Sequence, residues 1–399
     1  MAAYDTVQLL PRDIAVDGLP ETGATDLDRI GVRIAFTDSL KEVETVWRVL
    51  EAKGIDSPGQ SYDFIRIWTE TFDIPRQNQA YVAVEIAGRP LLVLGLERRR
   101  RHGVEILTPF AGSHVGVNAP LIDRDRMALL SDEDRRVIWS RIRSALGADI
   151  LRFGRVLKSD LASLPGASAL PSDCLFRTEF TSWQACDSQQ RTRSRRKHDK
   201  QQGQKLSAMG DVTYEDIPGT SDASAAIDVL FADRAARFAE QGIRDPFAPP
   251  AVRAFYRTVF RERDTLRGHM QVLRLNGAIV AARYNLIAGN RMFCLISSKS
   301  PDRTLQPGSP GKQILVHVMQ SIFEQGITSF DMGAGLTDEK RHWCNVELPL
   351  VEAMMPVTPK GRLYAALVGT IPTLKARIKG NEKLFALAKA FRARLAGAR

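Results

Sequence analysis

A chain of 399 residues is long enough for two domains of ordinary size. Its 44% hydrophobic and 26% charged residues are the balance of a soluble globular protein, and no stretch reaches the ~20 apolar residues that span a bilayer. The net charge of +10 and pI of about 9.6 favour an anionic partner (nucleic acid, membrane surface, acidic polymer or phosphorylated cofactor) without choosing among them.

The opening "MAAYDTVQLLPRDIAVDGLPETG" has no basic start followed by an apolar core, so a cytoplasmic location is the default expectation. Residues 1–30 are polar and aperiodic, as in a mobile arm. The helix "SYDFIRIWTETF" follows, with Phe64, Ile67 and Trp68 on one face. "YVAVEIAGRPLLVLGLERRRRHGVEILTPF" then gives three strand-like runs broken at Gly88 and Gly103. A helix from about Asp132 to Leu146 carries Val137, Ile138, Ile142 and Leu146 inward, and the strand "DILRFG" closes the unit. "RVLKSDLASLPGASALPSDC" reads as the connection between halves.

The second half repeats the order. The helices "DASAAIDVLFADRAARFAEQG" and "PPAVRAFYRTVFRER" lead in, the latter with Val252, Phe255, Tyr256 and Val259 on one face. "MQVLRLNGAIVAARYNLIAGNRMFCLISS" contains three β-rich runs separated by Asn-Gly and Gly-Asn, the chemistry of hairpin turns. A helix from about Lys312 to Gln325 buries Ile314, Leu315, Val318, Met319 and Ile322, and "ITSFDMG" is the last strand. This is strand-strand-strand-helix-strand twice, and it predicts an internal duplication.

The copies differ at the helix start. In the first, Asp132, Glu133 and Asp134 neutralise the positive end of the helix dipole and repel a diphosphate. In the second, "LQPGSPGK" leads in: Gly308 and Gly311 remove side chains, Pro307 and Pro310 fix direction, and Lys312 adds charge. Ser309 is placed either to cap the helix or to bond a phosphate oxygen. Ser-Pro is also an ordinary helix start, so this motif alone does not assign a ligand.

"RTRSRRKHDKQQGQKL", "DRAARFAEQG", "PFAPPAVRAFYRTVFRE", "LRLNGAIVAARYNLIAGNRMFCLISSKSPD", "SPGKQIL" and "FDMGAGLTDEKRHW", in that order, resemble the GNAT acyltransferase superfamily, and within it the CelD/BcsL-like group linked to cellulose biosynthesis. The likeness covers residues 175–350. The first half looks like that group's divergent partner domain, a double-GNAT plan shared with FemABX-type transferases. The implied fold is α/β, two tandem GNAT-like domains, each a mixed and mostly antiparallel sheet flanked by helices. The expected units are the arm 1–30, a degenerate domain 31–165, an acyl-CoA-binding domain 175–356 and a basic amphipathic segment 357–399. The resemblance implies acetyl-CoA as co-substrate, held between Leu295, Ile296, Ser297 and Ser298 and the strand near 329–332. Its diphosphate would lie at Gly308, Ser309, Pro310, Gly311 and Lys312. Arg195, Arg196, Tyr284 and Trp343 are the expected acceptor contacts. One departure stands out: the family often has Tyr-Lys where this chain has Glu339-Lys340, so a tyrosine able to protonate the leaving thiolate is missing there.

Acyl transfer needs a nucleophile, a base and donors for the oxyanion. Asp331, Glu339, Lys340 and His342 are the candidates. Asp331 would position or deprotonate the acceptor and Lys340 would hold an anionic group. The bland alternatives are a loop-capping Asp, a solvated charged turn and a His342–Trp343 packing pair. His317 and Cys294 read as boundary or core residues, and no Ser-His-Asp or Cys-His pattern is present.

Cys174, Cys186, Cys294 and Cys344 form no C-x-x-C pair, and the six histidines do not join them at ligand spacing, so neither a disulfide framework nor a metal is expected. The run of Arg191, Arg193, Arg195, Arg196, Lys197 and Lys200 is either a solvated helix face or an anion contact. It lacks an aromatic for base stacking, which weighs against nucleic acid. "TLKARIKGNEKLFALAKAFRARL" is basic and amphipathic, fit either for an anionic inner-membrane surface or for docking on its own domain. The expected activity is acyl transfer from acyl-CoA to an amine or hydroxyl of a sugar or envelope-polysaccharide precursor. Its rivals are a FemABX-like transferase using aminoacyl-tRNA and a non-catalytic accessory protein of polysaccharide biosynthesis.

Overall fold

The computed structural model describes residues 31–262 and 264–379. The arm expected over 1–30, and the part of the basic segment from Gly380 onward, lie outside the described residues.

The first half runs β1 (Val32–Thr37), α1 (Glu44–Glu51), α2 (Tyr62–Thr71), β2 (Gln79–Ile86), β3 (Arg89–Arg101), β4 (Val104–Pro109), the short β5 (Leu121–Ile122), α3 (Arg124–Leu129), α4 (Asp132–Leu146) and β6 (Ile150–Leu157). After β7 (Ser168–Glu179) come α5 (Trp183–Gln190), α6 (Arg193–Ser207), β8 (Val212–Pro218), α7 (Ser224–Glu240) and α8 (Pro250–Phe260). The chain then forms β9 (Arg267–Leu275), β10 (Ala278–Ala288), β11 (Arg291–Lys299), α9 (Pro310–Glu324), β12 (Ser329–Ala334), α10 (Asp338–Trp343), β13 (Val346–Pro356) and α11 (Pro359–Lys379).

The duplicated order is real in three dimensions. β2-β3-β4 and β9-β10-β11 are antiparallel meanders, and each is followed through a helix by a strand parallel to its last member, β6 beside β4 and β12 beside β11. Asn276 and Gly277 turn with φ of 50° and 81°, the left-handed pair that a two-residue hairpin requires. α4 starts with a reciprocal capping box between Ser131 and Asp134, so its first amides are occupied by its own side chains.

The halves do not keep separate sheets. Among the described residues one sheet of 13 strands has the order β1-β2-β3-β4-β6-β13-β7-β12-β11-β10-β9-β8, with the short β5 paired to β3 off this path. The strand that follows each half's last parallel strand crosses over: β7 pairs with β12 of the second half, and β13 pairs with β6 of the first. Half of the stretch expected to be a connection is sheet, because its start belongs to β6 and its end to β7, and residues 158–167 link them. The reason is that "SALPSDCLF" mixes polar and apolar residues and hides its strand character until β13 lies beside it.

Helices α1, α2, α7 and α8 share one core on one face, built on Trp47, Phe64, Phe255 and Tyr256. On the opposite face α4 covers the first half through Trp139 and Ile142, and α9 covers the second through Ile314, Val318 and Ile322. Both helices present the apolar stripes that their periodicity predicted.

Candidate functional site

β11 and β12 pair only at Arg291–Ser329, Met292–Phe330 and Phe293–Asp331, and beyond these residues they diverge. A bulge on the other side of β11, where the register with β10 shifts between Tyr284 and Asn285, bends the strand away. The gap leaves strand peptide groups without a neighbour, and a cavity lies at each end of it.

At the open end, a cleft of about 690 Å³ is lined by Arg234 and Arg237 of α7, Ser297 and Lys299 of β11, residues 309–312, and residues 337–339. Ser309 takes a left-handed φ of 47°, and its carbonyl accepts from the amides of Lys312 and Gln313. Its hydroxyl accepts from Gln202 and donates to the Gln306 carbonyl, so it neither caps α9 nor is free for a ligand. Pro310 is buried as the first residue of the helix. A Cβ at Gly311 would meet only Lys299, at 3.9 Å, so this turn is open to the cleft. Gly308 is different. A Cβ there would come within 2.8 Å of Leu206 on α6, so this glycine permits helix packing and not ligand approach.

At the closed end, a cavity of about 230 Å³ is bounded by Asp56, Ser57 and Pro58, residues 113–116, Arg155, residues 293–295 and residues 331–334. Asp331 is 4% exposed. One carboxylate oxygen accepts from Arg177 Nε at 2.8 Å and the other from the Gly333 amide at 2.8 Å. Burial pushes its pKa above the ordinary value, and Arg177 works against that rise. Arg177 also donates to Asp56, which accepts in turn from Arg124 and Arg291. A buried ion network therefore ties β12 of the second half to the α1–α2 loop of the first.

The other proposed catalytic residues are held in place by the protein itself. Lys340 donates to the carbonyls of Gly333 (3.0 Å), Ala334 (2.7 Å) and Gly335 (2.6 Å). All three ammonium protons are used, so it shapes the loop below Asp331 and holds no substrate anion; burial lowers its pKa. Glu339 pairs with buried Arg283 at 2.9 Å. Burial disfavours charge on Arg283, but Glu339 and Cys294 together outweigh it and leave the guanidinium's pKa raised. The same guanidinium reaches the Gly311 carbonyl at 3.4 Å, joining β10, α9 and α10. His342 is half-exposed, bonds the Asp338 carbonyl and lines neither cavity.

Four expected acceptor contacts are structural. Tyr284 is fully buried and donates to the Tyr256 carbonyl. Trp343 is buried against Trp183 under the Arg191 guanidinium. Arg195 pairs with Asp199 and Arg196 with Asp187. Both aromatic side chains fill the core, which periodicity reads better than motif position does. Of the strand expected along the cofactor, Leu295 lines the closed cavity and Ser297 the open cleft, while Ile296 is core and Ser298 donates to Asp233 of α7.

Sequence reasoning missed Arg177, Arg283, Asp56, Arg234 and Arg237. Arg177 shares β7 with Asp173 and Glu179 and left no signal, but Arg283 left one as the lone charge of β10. Such a residue is buried at a cost unless paired. Asp56, Arg234 and Arg237 left none.

Residues 193–341 match the acetyltransferase (GNAT) domain family. No curated protein matches the chain. The fold is similar to that of FemX, with a TM-score of 0.55 at 11% identity over 83% of this chain and 98% of that one. It is also similar to the C-terminal domain of a putative lysylphosphatidylglycerol synthetase from Agrobacterium fabrum, with a TM-score of 0.53 at 14% identity, covering 84% and 98%. At these identities the likeness establishes the fold: two tandem GNAT-like halves.

Proposed function

We propose that this GNAT-type acyltransferase moves an acetyl or related acyl group from coenzyme A to an amine or hydroxyl of a sugar or envelope-polymer precursor. The observation that carries the reading is the divergence of β11 from β12, with Gly311 open at one end of the gap and Asp331 buried at the other.

The residues fit the co-substrate. The amide of Gly311 and the charges of Lys312, Lys299 and Arg237 suit a diphosphate at the start of α9. The free edge of β11 beyond Phe293 offers peptide groups to an amide-bearing arm. When bound, coenzyme A supplies the activated acyl carbon, and Asp331 takes the proton from the attacking amine or hydroxyl. Lys340 and Gly333 hold the loop that aims this carboxylate. Glu339 stands where the family often has tyrosine and is committed to Arg283, so the thiolate leaves without a dedicated acid, which a thiol of ordinary pKa tolerates. Holding both reactants in one cavity removes much of the entropic barrier.

Among the described residues no helix is long and apolar enough to cross a membrane. Exposed Leu363 and Leu367 on α11 support peripheral contact of the basic C-terminal segment with an anionic surface.

A second reading, transfer from aminoacyl-tRNA, is favoured by Arg193, Lys197 and Lys200, which stand exposed on α6 without carboxylate partners among the described residues. Calorimetric titration decides between the two. Stoichiometric acetyl-CoA binding supports the first reading; salt-sensitive binding of charged tRNA, with no response to acetyl-CoA, overturns it.

A further inference from the structure

The first half keeps a gap of its own. β4 and β6 pair only at Ile106–Ile150 and Leu107–Leu151 and then part, as β11 and β12 do. A cavity of about 480 Å³ fills that gap, lined by β4 and β6 just past their last pair as the Asp331 cavity is lined by β11 and β12. The diphosphate device is missing here, because the first amides of α4 face its own capping box and three acidic residues.

What surrounds the cavity is cationic. Arg99, Arg100 and Arg101 of β3 and Arg152 and Arg155 of β6 line it, and no carboxylate does. Arg99 is paired with Glu97 and Arg152 with Glu352. Among the described residues Arg100, Arg101 and Arg155 have no carboxylate partner; Arg155 donates only to the Val115 carbonyl, at 2.8 Å. Gathered guanidiniums with unused donors are suited to phosphate oxygens, which they bind through paired hydrogen bonds.

The cavity also adjoins the one that holds Asp331. Ser113 and Arg155 line both. A molecule with a phosphate among the arginines therefore reaches toward Asp331 past Arg155. The two volumes together are of the size that takes a small-molecule ligand.

We propose that the arginine-lined gap of the first half is the binding subsite for the acceptor's anionic end, and that the acceptor is a phosphate- or diphosphate-bearing molecule. The identification of the anion as part of the acceptor rests on the acyl-transfer reading above; the anion site does not. The first half is then a substrate-recognition module, and not only a scaffold. The phosphate belongs either to a soluble sugar phosphate or nucleotide-linked sugar or to a lipid headgroup.

The test is titration of inorganic pyrophosphate into the full chain carrying Gly311→Glu, which closes the cleft at α9. One pyrophosphate should still bind. Adding Arg101→Ala, an exposed residue with no partner to lose, should weaken it at least 10-fold. Gly154→Glu should do the same, because a Cβ there meets nothing within 4 Å and the carboxylate enters the cavity. Acetyl-CoA titrated into the Arg101→Ala and Gly154→Glu proteins with Gly311 intact should bind as in the parent. A failure of acetyl-CoA binding in the parent itself therefore counts against the acyl-CoA reading and not against the anion site. Sedimentation with phosphatidic acid vesicles that is lost in Arg101→Ala assigns the phosphate to a lipid. Pyrophosphate binding without vesicle binding assigns it to a soluble molecule. No pyrophosphate binding in the Gly311→Glu protein, or binding indifferent to Arg101→Ala and Gly154→Glu, overturns the proposal.

Discussion

Asp331 and Arg177 are register partners on adjacent antiparallel strands, and their side chains meet at 2.8 Å inside the sheet that joins the two halves. β12 of the second half and the crossing strand β7 thus build the candidate base together, and Asp56 of the first half completes its counter-charge through Arg177. The surroundings of Asp331 are therefore shared between the halves, because its carboxylate depends on a strand that leaves its own half.

Replacing Asp331 with Asn should lower kcat by roughly 10²–10⁴, the usual worth of a general base, and leave acetyl-CoA affinity unchanged. Burial raises the Asp331 pKa, and a base works only when deprotonated. The rate should therefore climb with pH through a limb lying above the ordinary aspartate value of about 3.9, and that limb should vanish in the variant. A variant with the parent's kcat and profile removes Asp331 from the mechanism.

Lys340→Met leaves three loop carbonyls without their donor. Each unsatisfied buried group costs roughly 1–3 kcal/mol where water cannot reach it, so chemical denaturation should register a loss of about that size or more. A drop in kcat without loss of stability would instead return Lys340 to a direct substrate role.

The two glycines before and inside α9 should separate. Gly308→Ala drives a methyl to within 2.8 Å of Leu206 and should cost about 1–3 kcal/mol of stability. Gly311→Ala makes only an ordinary contact with Lys299 and should leave stability nearly unchanged. Thermal unfolding of the pair checks the contrast, and equal losses would contradict it.

Asp216 of β8 accepts from His269 of β9 at 3.0 Å and from His317 of α9 at 2.9 Å, pinning α9 to the sheet edge. Burial pushes its carboxyl up, but the two histidine bonds outweigh this and hold it well below the usual carboxylate range. A depressed folded-state value stabilises the fold above the unfolded value of about 3.9, and that contribution is lost as pH falls toward the depressed value. The stability gap between parent and Asp216→Asn should be present near pH 5 and shrink as pH falls below about 4. A gap that widens on acidification would reverse the sign of the argument.

The repeat, the hairpin turns and the buried stripe of α9 were legible because they are local: Asn276-Gly277 states its turn, and Ile314, Val318 and Ile322 state their face. The sharing of one sheet was not, because the exchange of β7 and β13 is a pairing between segments some 180 residues apart, and neither strand alternates cleanly. Of the site, Gly311 was read from the chemistry of a helix start and Asp331 from the groups that acyl transfer needs, and they stand at the two ends of the gap. Glu339, Lys340, Tyr284 and Trp343 were misread because a sequence lists groups but not their partners. Lys340 looks like a free cation until three carbonyls are found around its ammonium. Arg155 gave no warning, since its meaning comes from two cavities meeting beside it.

The most direct measurement is calorimetric titration of acetyl-CoA into the parent and into Gly311→Glu. One acetyl-CoA per chain bound by the parent, and at least 100-fold weaker binding once a carboxylate occupies the start of α9, is the predicted result. Equal affinity in the two proteins, or no binding to the parent, would contradict an acyl-CoA site in the gap between β11 and β12.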